Sequence, residues 1–196
     1  MVKKITKTKI MSCYLNNYGR KCYLQELAEL LNKPHQTIKP YAESLVKEKI
    51  LIKSKRKKIL EYSLNLNNKQ VYSYLITAEI EKLIEKLREE PILRILYERL
   101  SPHFINNTFI IFGSSVNKVE KESDIDLIFI GKANVNELLK EFREIYNKKM
   151  HKVHVNSLDE LNLTLTKEIY KNHLILNNAE KIVRFFGKQY EQNKLV

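Results

Sequence analysis

Phe109-Ile110-Ile111-Phe112-Gly113-Ser114-Ser115, then a polar segment, then Asp124-Ile125-Asp126-Leu127-Ile128-Phe129-Ile130-Gly131 is the stretch on which the fold turns. Four apolar residues running into Gly-Ser read as a strand entering a turn. Val116 to Ser123 reads as a charged loop, and the second apolar run as the next strand. Asp124 and Asp126 lie two apart on that strand, so both carboxylates project from one face. Two such groups side by side are costly unless a cation sits between them. Oxygen ligands of this kind suit magnesium, held together with substrate phosphates. Gly113 lets a backbone approach closely and Ser114 adds a hydroxyl, a combination that can cradle a triphosphate.

Strand, Gly-Ser, a nine-residue spacer and Asp-x-Asp on the following strand resemble the signature of the DNA polymerase beta superfamily, specifically its minimal nucleotidyltransferases. The resemblance implies Mg2+ on Asp124 and Asp126 as the metal and catalytic residues, with an NTP cradled by Gly113, Ser114 and Ser115. An acceptor hydroxyl would attack the α-phosphate in line and pyrophosphate would leave, with no covalent enzyme intermediate. It also implies a third carboxylate on a later strand, after a helix. Asn134 to Tyr146 has the spacing of that helix, and Lys152-Val153-His154-Val155-Asn156 reads as the strand. If Val153 and Val155 face the core, His154 takes the third acid's place, with Asp159 and Glu160 just beyond as substitutes. Ser115 and Val116 also stand where small and basic residues often follow Gly-Ser in the family.

Working outward, Asn67-Asn68 can cap a long helix over Val71 to Glu89, with Ile76, Ile80, Leu83, Ile84 and Leu87 as its apolar face. Pro91 opens a second helix that ends near Ser101-Pro102. These stripes read as core for the C-terminal half or as a homodimer interface. Lys167 to Lys188 reads as two helices around Leu174-Ile175-Leu176-Asn177-Asn178, with Tyr170, Phe185 and Phe186 in the core. This tail resembles that of archaeal-type proteins which pair a winged helix with the transferase fold.

The charge is distributed unevenly. Residues 1–70 hold 16 Lys and Arg against 5 Asp and Glu, whereas residues 71–196 hold 19 against 18. A generally lysine-rich composition would spread evenly; concentration in one segment is the footprint of a phosphate-backbone partner. That segment reads as a helix over Thr6 to Asn16, a helix at Leu24 to Leu31, a turn at Asn32-Lys33-Pro34, and a helix from about Ile38 to Glu48 with Thr37 as N-cap. Strands at Ile50–Ile52 and Leu60–Leu64 follow, joined by Lys53-Ser54-Lys55-Arg56-Lys57-Lys58. The order resembles a winged helix-turn-helix domain, in which the second helix of the motif enters the major groove of double-stranded DNA. Gln36, Thr37 and Lys39 would then contact DNA from the helix start, and Lys55, Arg56, Lys57 and Lys58 from the wing. Lys49 stands where a glycine often closes the recognition helix, and the wing tip has no glycine. Small winged helices also serve as protein–protein modules.

Two cysteines, Cys13 and Cys22, are too few and too far from histidines for a disulfide framework or a zinc site. No apolar run has membrane-spanning length, and the basic start is not followed by a secretory apolar stretch, so a cytoplasmic location is expected. The expected fold class is α+β, a winged helix-turn-helix at residues 1–70 followed at 71–196 by a helical connector and a small mixed sheet with flanking helices. The expected function is a DNA-binding nucleotidyltransferase, moving a nucleoside monophosphate from NTP to a nucleic-acid or toxin-like protein hydroxyl. The alternative is a transcriptional regulator or antitoxin-like protein whose transferase domain is degenerate.

Overall fold

Thr6, whose side chain accepts from the Lys9 backbone N–H at 3.1 Å, starts α1 (Lys7–Ser12). The computed structural model describes residues 5–57, 59–117 and 124–195. After α1 come β1 (Lys21–Tyr23), α2 (Leu24–Leu31), α3 (His35–Lys47), β2 (Leu51–Arg56) and β3 (Ile59–Leu64). The strands form an antiparallel sheet in the order β1-β3-β2. Ile38, Ala42 and Leu45 of α3 are buried, one helix face at four- and three-residue spacing, together with Leu27 and Ala28 of α2. Ile10, Met11, Tyr14, Leu15 and Cys22 are also buried in this unit, where each large apolar side chain contributes about 1.5–3 kcal/mol. Both cysteines are buried and free, and burial pushes the Cys13 thiol up to about 12 and the Cys22 thiol to about 11.

The third helix departs from expectation. It begins at His35, with Pro34 as N-cap, so Thr37 lies inside the helix and Pro40 falls beyond its first turn. Pro40 removes the bond to the Gln36 carbonyl, but both residues are exposed and water can satisfy it. At the other end Lys49 adopts the left-handed conformation, φ 56°, in place of a glycine. The Lys49 N–H donates to Val46 O and the Ile50 N–H to Leu45 O, while Asn65 and Asn68 side chains donate to the Lys49 carbonyl.

A long helix, α4 (Gln70–Glu89), follows, with Asn68 accepting from the Gln70 N–H. The chain divides into two compact units within this helix, between Glu81 and Lys82. Its apolar face is not one continuous stripe. Val71, Leu75 and Ala78 are buried, Leu83 and Leu87 pack on the second unit's core, and Ile80 and Ile84 are exposed.

The second unit continues with α5 (Pro91–Leu100), β4 (Thr108–Phe112), a single 3-10 turn at Gly113–Val116, β5 (Ile125–Ile130), α6 (Asn136–Tyr146), β6 (Met150–Val155), α7 (Leu163–Lys171), β7 (His173–Ile175) and α8 (Ala179–Glu191). The sheet runs β6-β5-β4-β7; β5 and β6 are parallel across α6 and the other pairs antiparallel. Leu174 and Ile175, expected between two helices, thus form an edge strand of their own. One face buries Phe109, Ile111, Ile125, Leu127, Phe129 and Leu174 beneath α5 and α6, with Phe109 and Phe129 stacked at 5.1 Å. The opposite face buries Ile110, Ile128, Ile130 and Ile175, and His173 there meets Phe186 of α8 at 5.1 Å. The described residues therefore form a mixed α+β chain with one antiparallel and one mixed sheet.

Candidate functional site

The antiparallel register of β4 and β5 pairs Phe112 with Asp126, which places Gly113 beside the Asp126 carboxylate. Gly113 has φ +74°, and a Cβ there would stand 2.7 Å from Asp126 Oδ2. Only glycine meets both the conformation and the close approach. The turn is clamped from α7: Asn172 Nδ2 donates to Gly113 O at 2.6 Å, and Gly113 N–H donates to Asn172 O at 3.3 Å. Ser114 is exposed, whereas Ser115 is buried with its hydroxyl donating to Phe112 O at 3.3 Å. Of the two serines expected at a phosphate, Ser114 alone offers its side chain outward. The spacer at 118–123 lies outside the described residues.

Asp126 also pairs in register with His151 at the start of β6, so His151, Asp126, Phe112 and His173 form a row across the sheet. The His151 imidazole straddles the two carboxylates, Nε2 3.6 Å from Asp124 Oδ2 and Nδ1 3.5 Å from Asp126 Oδ1. Burial holds the Asp126 carboxyl above its usual range; His151 opposes this, and Asp124 and Glu168 push further up. Glu168 of α7 was not singled out by the sequence. It precedes Asn172 by one helical turn, and that relation is visible only once Asn172 is seen to hold Gly113.

His154 does not occupy the third acid's place. It stacks on Phe129 at 4.7 Å and contacts Gly131 O at 2.7 Å, on the face opposite Asp126. The expectation failed on parity. Both faces of the sheet are covered, so Val153 and Val155 point inward on the same side as Asp126, and His151 belongs to their series. Asp159 and Glu160 are excluded by topology. They follow β6, whereas Asp124 precedes β5, and parallel strands place those segments at opposite ends, about 17 Å apart at about 3.3 Å per residue. Glu160 instead accepts from the Asn156 N–H at 2.9 Å.

Asp124 and Asp126 are the residues that would hold a metal. Their side chains are 34% and 27% exposed, open enough for an ion and its water to enter. Among the described residues no three His, Cys, Asp or Glu side chains are grouped to enclose a metal. Magnesium needs no such cage, since it binds through one or two carboxylates and fills its remaining positions with water and substrate phosphates. The donor set and the desolvated Asp126 carboxyl fit that ion.

In the first unit Gln36, Thr37 and Lys39 are all exposed along the start of α3. Lys55 and Arg56 end β2, exposed, and Lys57 turns the hairpin at φ 56°. Arg56 reaches Glu61 at 3.9 Å across the strands. Lys58 lies outside the described residues.

Residues 90–181 match the polymerase beta nucleotidyltransferase family. That span holds the Gly-Ser turn, both aspartates, His151 and the Asn172 clamp. A solved structure of a mutant of the toxin–antitoxin pair MntA-HpeT is similar over 51% of this chain and 86% of that one, at 13% identity and a TM-score of 0.38. No curated protein matches the chain. Among the described residues no helix is long and apolar enough to cross a membrane.

Proposed function

We propose that the nucleotidyltransferase domain binds an NTP with magnesium at Asp124 and Asp126 and transfers its nucleoside monophosphate to an acceptor hydroxyl. The observation that carries this reading is the approach of Gly113 to Asp126, which brings a bare backbone turn and a desolvated carboxyl to one point. The exposed Ser114 hydroxyl and the Gly113 turn take the phosphates, and Asn172 keeps that turn fixed. The ion, when bound, neutralises charge on the phosphates and polarises the α-phosphorus. His151 fills the position beside Asp126 where the family resemblance calls for an acid. Calorimetric titration of Mg-ATP and the other Mg-NTPs into the wild type and into Asp124→Asn/Asp126→Asn tests the site without knowledge of the acceptor. Binding in the wild type alone supports the reading; no binding of any NTP to the wild type removes it.

The first unit is proposed as a winged helix that binds double-stranded DNA. The carrying observation is the exposed start of α3 together with a basic hairpin in a segment that holds nearly all the excess charge. A second reading, a regulator whose transferase site is silent, is favoured by His151 at the acid position. It retains DNA binding and NTP binding but releases no pyrophosphate.

A further inference from the structure

Across the sheet Asp126 has two neighbours in register, Phe112 on β4 and His151 on β6, and of these only His151 brings donor atoms to the carboxylates. The start of β6 is tied to them through the backbone. Asn147 turns the chain at φ 48°, the Lys148 N–H donates to Arg143 O at 3.2 Å, and Ile125, between the two aspartates, donates its N–H to Lys149 O at 2.9 Å. That last bond sets the register two residues before His151 and brings the imidazole to both aspartates. The ring is 70% exposed, so it fills no part of the core, and among the described residues its only partners are Asp124 and Asp126. At 3.6 and 3.5 Å these contacts are too long for hydrogen bonds, and an exposed ion pair of that length contributes little. The spacing fits another use. Donor atoms that share one octahedral dication lie about 3 Å apart, so the ring stands about half an ångström beyond the separation a common ion would impose. An imidazole ligates through one nitrogen and keeps a proton on the other. Here each nitrogen faces a carboxylate oxygen, so whichever takes the ion, the other N–H has an acceptor beside it, the arrangement that orients metal-bound histidines.

We propose that His151 is a third ligand to the ion held by Asp124 and Asp126, and that it makes the site prefer an octahedral transition-metal dication of the Mn2+ kind over Mg2+. The inference deepens the transferase reading above and rests on it for the two aspartates. Magnesium is a hard ion that takes oxygen donors and gives up its water reluctantly, so a nitrogen in place of a third carboxylate oxygen gains it little. Imidazole suits the first-row transition metals, and among these Mn2+ best accepts a majority of oxygen donors. The two carboxylates therefore admit either ion, and the ring decides between them. The three side chains close no cage; they offer donors from one side and leave the remaining positions to water and to phosphate oxygens. With one carboxylate fewer than the family resemblance calls for, the site has lost negative charge but not a donor. Histidine at the acid position retunes the site and does not silence it.

The test uses the full chain with Mn2+ as the probe and needs neither nucleotide nor acceptor. Free Mn2+ is followed by its electron paramagnetic resonance signal, Mg2+ is titrated in as competitor, and nitrogen bound to the Mn2+ is read by electron spin-echo modulation. The wild type is expected to bind Mn2+ with nitrogen modulation and to resist displacement by Mg2+. His151→Ala, checked for folding by circular dichroism, is expected to lose the nitrogen modulation, to bind Mn2+ about tenfold or more weakly, and to give it up to Mg2+ more readily. His151→Asp is expected to lose the modulation as well and to move the preference toward Mg2+. His154→Ala is expected to match the wild type, since that ring lies on the opposite face at Phe129. Bound Mn2+ without nitrogen modulation in the wild type overturns the inference. So does an unchanged preference or a tighter Mn2+ affinity in His151→Ala, and so does a wild type that leaves Mn2+ free. Calorimetry with Mn-ATP and Mg-ATP keeps the transferase reading separate. A wild type that holds Mn2+ through nitrogen but binds no NTP with either ion supports the ligand and removes the transferase reading; NTP binding with no nitrogen at the metal does the reverse.

Discussion

Gly113 and Asp126 show how closely a single position can be constrained. A methyl group at Gly113 would meet Asp126 Oδ2 at 2.7 Å while the backbone holds φ +74°. Gly113→Ala is expected to lower stability by about 1–3 kcal/mol, read by urea unfolding, and to abolish calorimetric binding of Mg-NTP. Asp126 supplies a second prediction, and its sign follows from the raised carboxyl. Below the ordinary carboxylate range the group is protonated in both folded and unfolded chains and costs nothing. As pH rises through that range the unfolded chain ionises first, so stability falls until the folded group has ionised too. In chelator at neutral pH, Asp126→Asn is therefore expected to melt at a higher temperature than the wild type, with the gap closing in acid. An equal or lower melting temperature at neutral pH would show that the folded site does not resist the charge. At this scale the sequence made Gly113, Ser114, Asp124 and Asp126 legible, because their spacing is local. His151 was not legible, because the residue facing Asp126 is chosen by the register between strands that are distant in sequence.

Element boundaries moved where one residue's conformation outweighed its average preference. Proline in the second turn of α3 is tolerated because the carbonyl it orphans faces water, so the helix starts at His35 and carries Gln36, Thr37 and Lys39 exposed on either side of the buried Ile38. Lys49 ends that region in the left-handed conformation, held by Asn65 and Asn68. Lys49→Gly is expected to raise stability by about 1 kcal/mol, measured by chemical unfolding, since glycine adopts that conformation without the Cβ penalty. The neighbouring Glu43 carboxyl is held below its usual range, first by Lys53 and then by Tyr62, at 2.7 Å from each. A depressed carboxyl stabilises the fold above the ordinary carboxylate range and loses that contribution as pH falls through its folded value. Glu43→Gln is expected to be less stable than the wild type at neutral pH, with the difference shrinking in acid on a pH series of thermal melts. The strand β7 escaped the sequence reading because a three-residue apolar run between helices has no periodicity to reveal it.

For the molecule as a whole, excess charge and candidate chemistry fall in different units. This separation makes a prediction about independence. Lys55→Ala/Arg56→Ala/Lys57→Ala is expected to weaken duplex DNA binding and flatten its salt slope by about 0.9 for each phosphate the hairpin ceases to neutralise, while leaving Mg-NTP binding unchanged. A slope identical to the wild type would remove the hairpin from the DNA surface. The match of residues 90–181 to the nucleotidyltransferase family supports the expectation raised by Gly-Ser and Asp-x-Asp for that region. By itself the sequence determined the two strands around the Gly-Ser turn, both aspartates and the asymmetry of charge, since each depends on residues close together in the chain. Only the tertiary structure decided that His151 and not His154 faces the carboxylates, that Asp159 and Glu160 lie at the wrong end, that Asn172 clamps Gly113, and that a cationic turn is bonded to Ile125. Those relations arise from pairing register and from a sheet covered on both faces, and neither is encoded in the spacing of any one segment.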